Sequence, residues 1–284
     1  MNGIVNIYKP RGITSHGAVN RVRKILGIKK VGHTGTLDPD AEGVLPVCIG
    51  KGTKLAGLLT DADKAYRAVI KLGVVTDTQD ASGEILSECK PSVNEEEFVS
   101  VVQGFVGKLQ QIPPMYSALK VNGRKLCDLA RQGIEVERKP REINIFSIDI
   151  SDFDGTYATL DVSCSKGTYI RTLCHDIGQK LSCGAIMQSL IRTKSGIFEI
   201  KDSVSFDEFE KNPRRFITPP DNLFLHLPEY IATEEETKKI KNGIRINTKI
   251  ENGRTYRVYS NSGEFLALSA SDNNKLVIKT SFFG

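Results

Sequence analysis

Residues 32–46 read GHTGTLDPDAEGVLP, and the reading of this stretch decides the rest of the chain. Three glycines and two prolines in so short a span support neither a helical nor a strand period, so the stretch is a shaped loop. An apolar run from Val44 to Ile49 follows and predicts a buried strand. The loop therefore sits at the mouth of a sheet and presents polar side chains on a rigid support. Asp38 lies at its centre, with Pro39 biasing it toward extended backbone. It is also the first acidic residue, preceded by Lys9, Arg11, Arg21, Arg23, Lys24, Lys29 and Lys30. A single carboxylate behind a cationic entrance suits chemistry on a polyanion. An isolated Asp-Pro in a glycine-rich loop would otherwise do no more than begin a turn.

The composition narrows the classes. The 284 residues allow one large domain, or a domain with a small module, and 39% apolar content suffices for a core. No apolar run is long enough to span a membrane. The start of the chain lacks the pattern of a signal peptide, which leads to the expectation of a cytoplasmic protein. Six cysteines are scattered without a C-x-x-C pair, so they read as reduced core residues rather than zinc ligands. The net charge of +5 is modest, but its crowding at the N-terminus points to nucleic acid. Lys51-Gly52-Thr53 is no phosphate loop, because Val47 stands where the first glycine of that motif is needed.

Outward from the loop, residues 4–8 predict a first strand. Thr14 or Ser15 caps a helix to about Leu26 that Gly27 ends. Residues 63–73 alternate, with Tyr66, Ala68, Ile70 and Leu72 on one face. Asp77 to Gly83 form a turn. Residues 94–105 predict an amphipathic helix, and 143–164 two strands joined at Asp154-Gly155. Ile170, Leu173, Cys174, Ile177 and Leu181 recur at helical spacing, which puts Arg171 at the start of a buried helix. Prolines 213, 219, 220 and 228 mark a change of composition, and a boundary near Leu227 follows. Beyond it come a short helix from Glu234 and strands at 255–260, 264–269 and 275–282. A proline-rich boundary of this kind predicts that few contacts cross it.

Several motifs occur in an order that resembles the TruB family of tRNA pseudouridine synthases. They are Lys9-Pro10-x-Gly12-x-Thr14-Ser15, Gly32 to Pro39 with Gly43 to Pro46, the strand bearing Tyr66, Gln111 to Lys120, Lys166 to Leu173, and Ser189 to Phe198. The resemblance implies an α+β pseudouridine synthase fold: a mixed, largely antiparallel central sheet flanked by helices, followed by a small, mostly β PUA-like domain. It implies a catalytic domain over 1–228, with an RNA-binding insertion at about 108–141, and the PUA-like domain over 229–284. The implied reaction is isomerisation of uridine to pseudouridine at position 55 in the T-arm of tRNA, after extrusion of the base and without cofactor or metal. Asp38, Tyr66 and Arg171 would be catalytic, with Arg171 paired to Asp38 and Tyr66 against the base. His33, Lys9, Lys120, Lys166 and Tyr169 would bind substrate. The partner is tRNA, held at the T-arm stem-loop and, through the C-terminal domain, toward the acceptor end; no membrane is involved and the chain is read as a monomer. Asp40 and Glu42 depart from the family pattern and are expected to face away from RNA. They are also the carboxylates that a hydrolase reading would need beside Asp38. An RNA chaperone without chemistry is the other alternative, and the intact set of Asp38, Tyr66 and Arg171 argues against it.

Overall fold

The computed structural model describes residues 1–121, 123–248 and 250–283. The chain begins with β1 (Gly3–Lys9), α1 (Ser15–Leu26), β2 (Val31–His33), β3 (Glu42–Ile49) and the short α2 (Ala56–Thr60). Helix α1 starts where the Thr14 hydroxyl accepts the Gly17 N–H, and it stops at Gly27 in left-handed conformation. Next come β4 (Lys64–Leu72), the β5 (Val74–Thr76) and β6 (Ile85–Glu88) hairpin, and α3 (Glu95–Gln103) capped by Asn94. They are followed by β7 (Gly107–Gln111), the small β8 (Lys120–Val121) and β9 (Arg124–Lys125) hairpin, and α4 (Leu126–Ala130). Then β10 (Arg141–Ser151), β11 (Tyr157–Cys164), α5 (Ile170–Lys180), β12 (Ala185–Ser195), β13 (Phe198–Glu199) and α6 (Phe206–Lys211) complete the larger unit.

Its sheet runs β1-β3-β12-β4-β11-β10-β7, with β2 on β3 and β13 on β12. Among the described strands of this sheet only the β3–β12 pairing is parallel, so the sheet is mixed and largely antiparallel. Ala68, Ile70 and Leu72 of β4 turn into the main core with Phe98, Val102, Leu173 and Ile177 of the covering helices. The expected insertion at about 108–141 needs a new boundary. Residues Gly107–Gln111 pair with Arg141–Ile145 as the edge of this sheet, and only 112–140 stand off it. The apolar side chains of β7 are too few to show a strand in isolation; its pairing with β10 makes it one.

The C-terminal unit has β14 (Glu229–Ala232), α7 (Glu234–Lys241), β15 (Ile246–Asn247), β16 (Thr255–Ser260), β17 (Phe265–Asp272) and β18 (Lys275–Ser281). They form a five-stranded sheet, β14-β16-β17-β18-β15. Thr233 and Glu236 close a capping box at the start of α7. The expectation that few contacts cross into this unit does not hold. Leu268 and Phe282 are buried in one cluster with Ile4, Val44, Cys48 and Leu55 of the larger unit. Lys54 also donates to Ser281 at 3.1 Å. The back of β3 is apolar as well as its front, and the C-terminal sheet covers part of it. Among the described residues, no helix is long and apolar enough to cross a membrane.

Candidate active site

Asp38 sits in a turn whose backbone is fixed on both sides. Ser15, buried at the head of α1, donates its hydroxyl to the Leu37 carbonyl at 2.9 Å and accepts the Leu37 N–H at 2.7 Å. The Pro39 carbonyl accepts from the Gly12 N–H at 2.9 Å and from Lys9 Nζ at 3.0 Å. Lys9 Nζ also donates to the carbonyls of Ile13 at 2.7 Å and Pro10 at 2.9 Å. Lys9 is thus a fully buried brace of the turn, and burial lowers its ammonium to about 8. This corrects its expected role: with no exposed surface it touches no RNA. Alternation in β1 puts it on the face of the core residues Val5 and Ile7, and three carbonyls at one point hold the buried ammonium there.

Arg171 occupies the first turn of α5, with its side chain 6% exposed. Its Nε lies 3.1 Å from Asp38 Oδ2, as the motif resemblance implied. The same guanidinium donates to the carbonyls of Thr78 at 3.2 Å and Tyr116 at 2.8 Å, and it lies 3.5 Å from Asp80 Oδ2. In the sequence Asp80 carries no signal beyond its place in the 77–83 turn. Its other carboxylate oxygen accepts from the hydroxyls of Thr78 at 2.7 Å and Ser82 at 2.6 Å. Asp38 is held above the ordinary carboxylate range, first by burial and then by the Asp80 charge, while Arg171 opposes both.

Tyr66, on β4, stands opposite Arg192 on β12, whose guanidinium donates to the carbonyls of Val44 at 2.7 Å and Gly35 at 3.2 Å. Arg192 is only 1% exposed and was not singled out in the sequence, although it lies within the last matched motif. Burial raises the Tyr66 phenol, and the neighbouring cation works against the rise.

These groups share a cleft of about 590 Å³, lined among others by Leu37, Asp38, Tyr66, Tyr169, Leu190 and Arg171. Lys166 reaches its rim, 2.9 Å from Asp61. Two further residues expected to bind substrate, His33 and Lys120, stand outside this cleft. His33 accepts the Gly35 N–H through Nδ1 at 3.3 Å, beside the loop and not on the cleft wall, and burial lowers its pKa, with the Arg192 charge adding to the effect. Lys120 belongs to the 112–140 arm, in a separate recess with Arg124, Lys125 and Arg131. Asp40 and Glu42 are engaged outside the cleft: Asp40 meets Arg11 at 3.4 Å, and Glu42 accepts the Tyr8 hydroxyl at 3.0 Å.

Comparison with known proteins places this geometry. Residues 23–170 match the TruB family pseudouridylate synthase N-terminal domain, and 171–223 match the tRNA pseudouridylate synthase B C-terminal domain. The chain is 46% identical over 286 residues to tRNA pseudouridine synthase B of Clostridium acetobutylicum, covering 98% of this chain and 99% of that one. It is 44% identical to the protein of the same name from Clostridium kluyveri, over 94% of this chain and 95% of the relative. Among solved structures, one described as a Cbf5-Nop10-Gar1 complex matches 99% of this chain and 85% of its own, with a TM-score of 0.72 and 27% identity. The chain belongs to the TruB family of pseudouridylate synthases.

Proposed function

We propose that this enzyme converts the uridine at position 55 in the T-arm of tRNA to pseudouridine. The reaction breaks C1′–N1, forms C1′–C5, removes the proton from C5 and leaves one on N1. It needs a carboxylate that attacks the nucleoside or removes a proton from it, at C6, C1′ or C2′, and a pocket that keeps the freed base close. The observation that carries the reading is the Asp38–Arg171 pair at 3.1 Å on the wall of a cleft that Tyr66 also lines. Arg171 offsets the burial that would otherwise neutralise Asp38, and an arginine keeps its charge in such a site. A stacked base must leave its helix to reach Asp38, which costs a few kcal/mol. Stacking on Tyr66 returns about 1–3 kcal/mol of that.

Lys166 at the rim and the cationic arm around Lys120 and Arg124 supply contacts for the phosphates of the stem. The C-terminal sheet, read as PUA-like, takes the part of tRNA toward the acceptor end. Action as a monomer in the cytoplasm belongs to the same reading. The test is incubation with unmodified tRNA transcripts carrying tritium at uridine C5. Release of tritium from wild-type transcript, and none when uridine 55 is replaced by cytidine, is the expected result. Equal release from both transcripts would move the target elsewhere.

A further inference from the structure

Arg192 has an uncommon position for an arginine. It is 1% exposed, and no carboxylate pairs with it among the described residues. An arginine does not give up its proton, so folding carries a cation into the sheet without a counter-ion, which is costly. Two carbonyls hold part of it: Nε donates to Val44 and Nη2 to Gly35, near the two ends of the loop that carries Asp38. Neutral N–H donors would serve those carbonyls as well, so the two bonds do not account for the charge. Nη1 has no hydrogen-bond partner among the described residues. It is not sealed in the core either, because the residue lines the cleft.

Register fixes where that free end lies. Arg192 stands opposite Tyr66 across β12–β4, and cross-strand partners share one face of a sheet about 5 Å apart. A base stacked on Tyr66 therefore has the guanidinium beside it. Arg171, the other arginine deep in the cleft, is already matched by Asp38 and Asp80. Lys64, also buried on the cleft wall, has its ammonium on the carbonyls of Thr60 and Ala62, and burial and then the Arg192 charge lower its pKa. The unmatched positive charge beside the base is thus that of Arg192. We propose that Arg192 is a catalytic residue of this site, whose free Nη1 end binds the uracil ring and stabilises the negative charge the ring carries while it is detached from the sugar. The inference rests on the functional reading above and deepens it.

Every course of the reaction puts that charge on the ring. When C1′–N1 breaks, its electron pair stays with the base and spreads over N1, O2 and O4. If Asp38 first adds to C6, the displaced C5–C6 pair moves onto C5 and O4, and the ring is again anionic. The pair is then spent in forming C1′–C5, and Asp38 is released from whichever atom it joined. The C5–H bond returns its pair to the ring, and the proton lost at C5 is balanced by one gained at N1. Arg192 keeps its own protons throughout and acts by charge and hydrogen bond. A dry cation already in place needs no reorganisation when the charge appears. Bound uridine is neutral, so the gain is confined to the reacting complex. An Arg192 that only stapled the Asp38 loop would act alike on every base.

The experiment compares single-turnover rates on tRNA carrying uridine at position 55 and on the same tRNA carrying 5-fluorouridine there. Fluorine withdraws electrons and stabilises the ring anion by itself, so the fluorinated base depends less on Arg192. Consumption of each nucleoside is followed by nuclease digestion and mass spectrometry. Arg192→Gln should slow the uridine reaction by at least about 100-fold with tRNA affinity kept within about 3-fold. Its loss on 5-fluorouridine should be smaller by at least about 5-fold. Arg192→Lys keeps the charge and should show the same ordering with smaller losses; it takes the place of Arg192→Gln if that variant does not fold. Equal losses on the two bases in a folded variant would leave only the loop staple and overturn the proposal. A second arm needs no RNA: binding of 5-nitrouracil, an anion at about pH 8, is set against binding of neutral uracil. Wild type should favour the anion by at least about 10-fold, and Arg192→Gln should erase that preference, with Arg192→Lys in between. A wild type without preference overturns the proposal. If wild-type protein makes no pseudouridine in tRNA, the functional reading fails, and this second arm alone decides the anion site.

Discussion

Asp38 and Arg171 meet at 3.1 Å from supports of different kinds. Arg171 stands on a helix and is fixed by two carbonyls and a second carboxylate, whereas Asp38 stands on a turn held through its neighbours' backbone. The cation is therefore the rigid member of the pair. The carboxylate is the member open to the cleft, with its side chain 40% exposed.

Asp38→Asn should lower turnover by at least about 10³-fold while tRNA affinity stays within a few-fold, because the amide keeps the shape and loses the charge. Turnover near wild type, measured by tritium release, would place the chemistry on another group.

The same substitution has a stability consequence. Asp38 is held above its ordinary pKa, so the fold favours its protonated form. A carboxylate raised in the folded state costs stability above its folded pKa, and the cost vanishes below the unfolded value of about 3.9. Asp38→Asn should therefore melt slightly above wild type at neutral pH, with the gap closing toward about pH 4. Wild-type activity should fall as acid takes pH down through the raised pKa. A variant that melts lower at neutral pH would contradict this balance.

Arg171→Lys should reduce kcat more than affinity. The charge survives, but one ammonium cannot serve Asp38, Asp80, Thr78 and Tyr116 together. The lost bonds to Thr78 and Tyr116 should lower stability by about 1–3 kcal/mol in denaturant titration. Equal losses in affinity and rate would make Arg171 a phosphate contact instead.

Lys9→Met should destabilise the protein by about 2–4 kcal/mol, since three carbonyls each lose a donor and only that of Pro39 keeps another, the Gly12 N–H. It should slow turnover through a looser Asp38 turn and leave the salt dependence of tRNA binding unchanged. Lys166→Ala should do the reverse: stability unchanged, binding weakened and the salt slope reduced by about one. Salt titrations of tRNA binding on the two variants check both halves.

Truncation after Leu227 should lower the melting temperature of the remaining chain, because Leu268 and Phe282 complete a core begun by Ile4, Val44, Cys48 and Leu55. Leu268→Ala and Phe282→Ala should each cost the whole chain about 2–4 kcal/mol. Two separate unfolding transitions in calorimetry, with only the second moved by these substitutions, would show the units to be independent.

The amino-acid sequence by itself determined the local elements. Thr14 and Gly27 bound α1, the alternation of 64–72 turns Ala68, Ile70 and Leu72 inward, and the Asp154-Gly155 turn joins β10 to β11. Periodicity and capping act over a few residues, which is why they can be read from composition and spacing alone. The motifs also singled out Asp38, Tyr66 and Arg171, which the fold brings to one cleft. Only the tertiary structure decided what each charged side chain meets. Lys9 is held in the interior because three backbone carbonyls from two segments, 10–13 and Pro39, converge on it, and none of them is marked by residue type. Asp80 and Arg192 join the site because the hairpin turn packs under Arg171 and the β12–β4 register sets Arg192 against Tyr66. β7 becomes a strand through β10, and the C-terminal sheet becomes part of the core through β3. Each of these depends on pairing between distant segments, and residue identity fixes such pairing only when the whole chain closes around it.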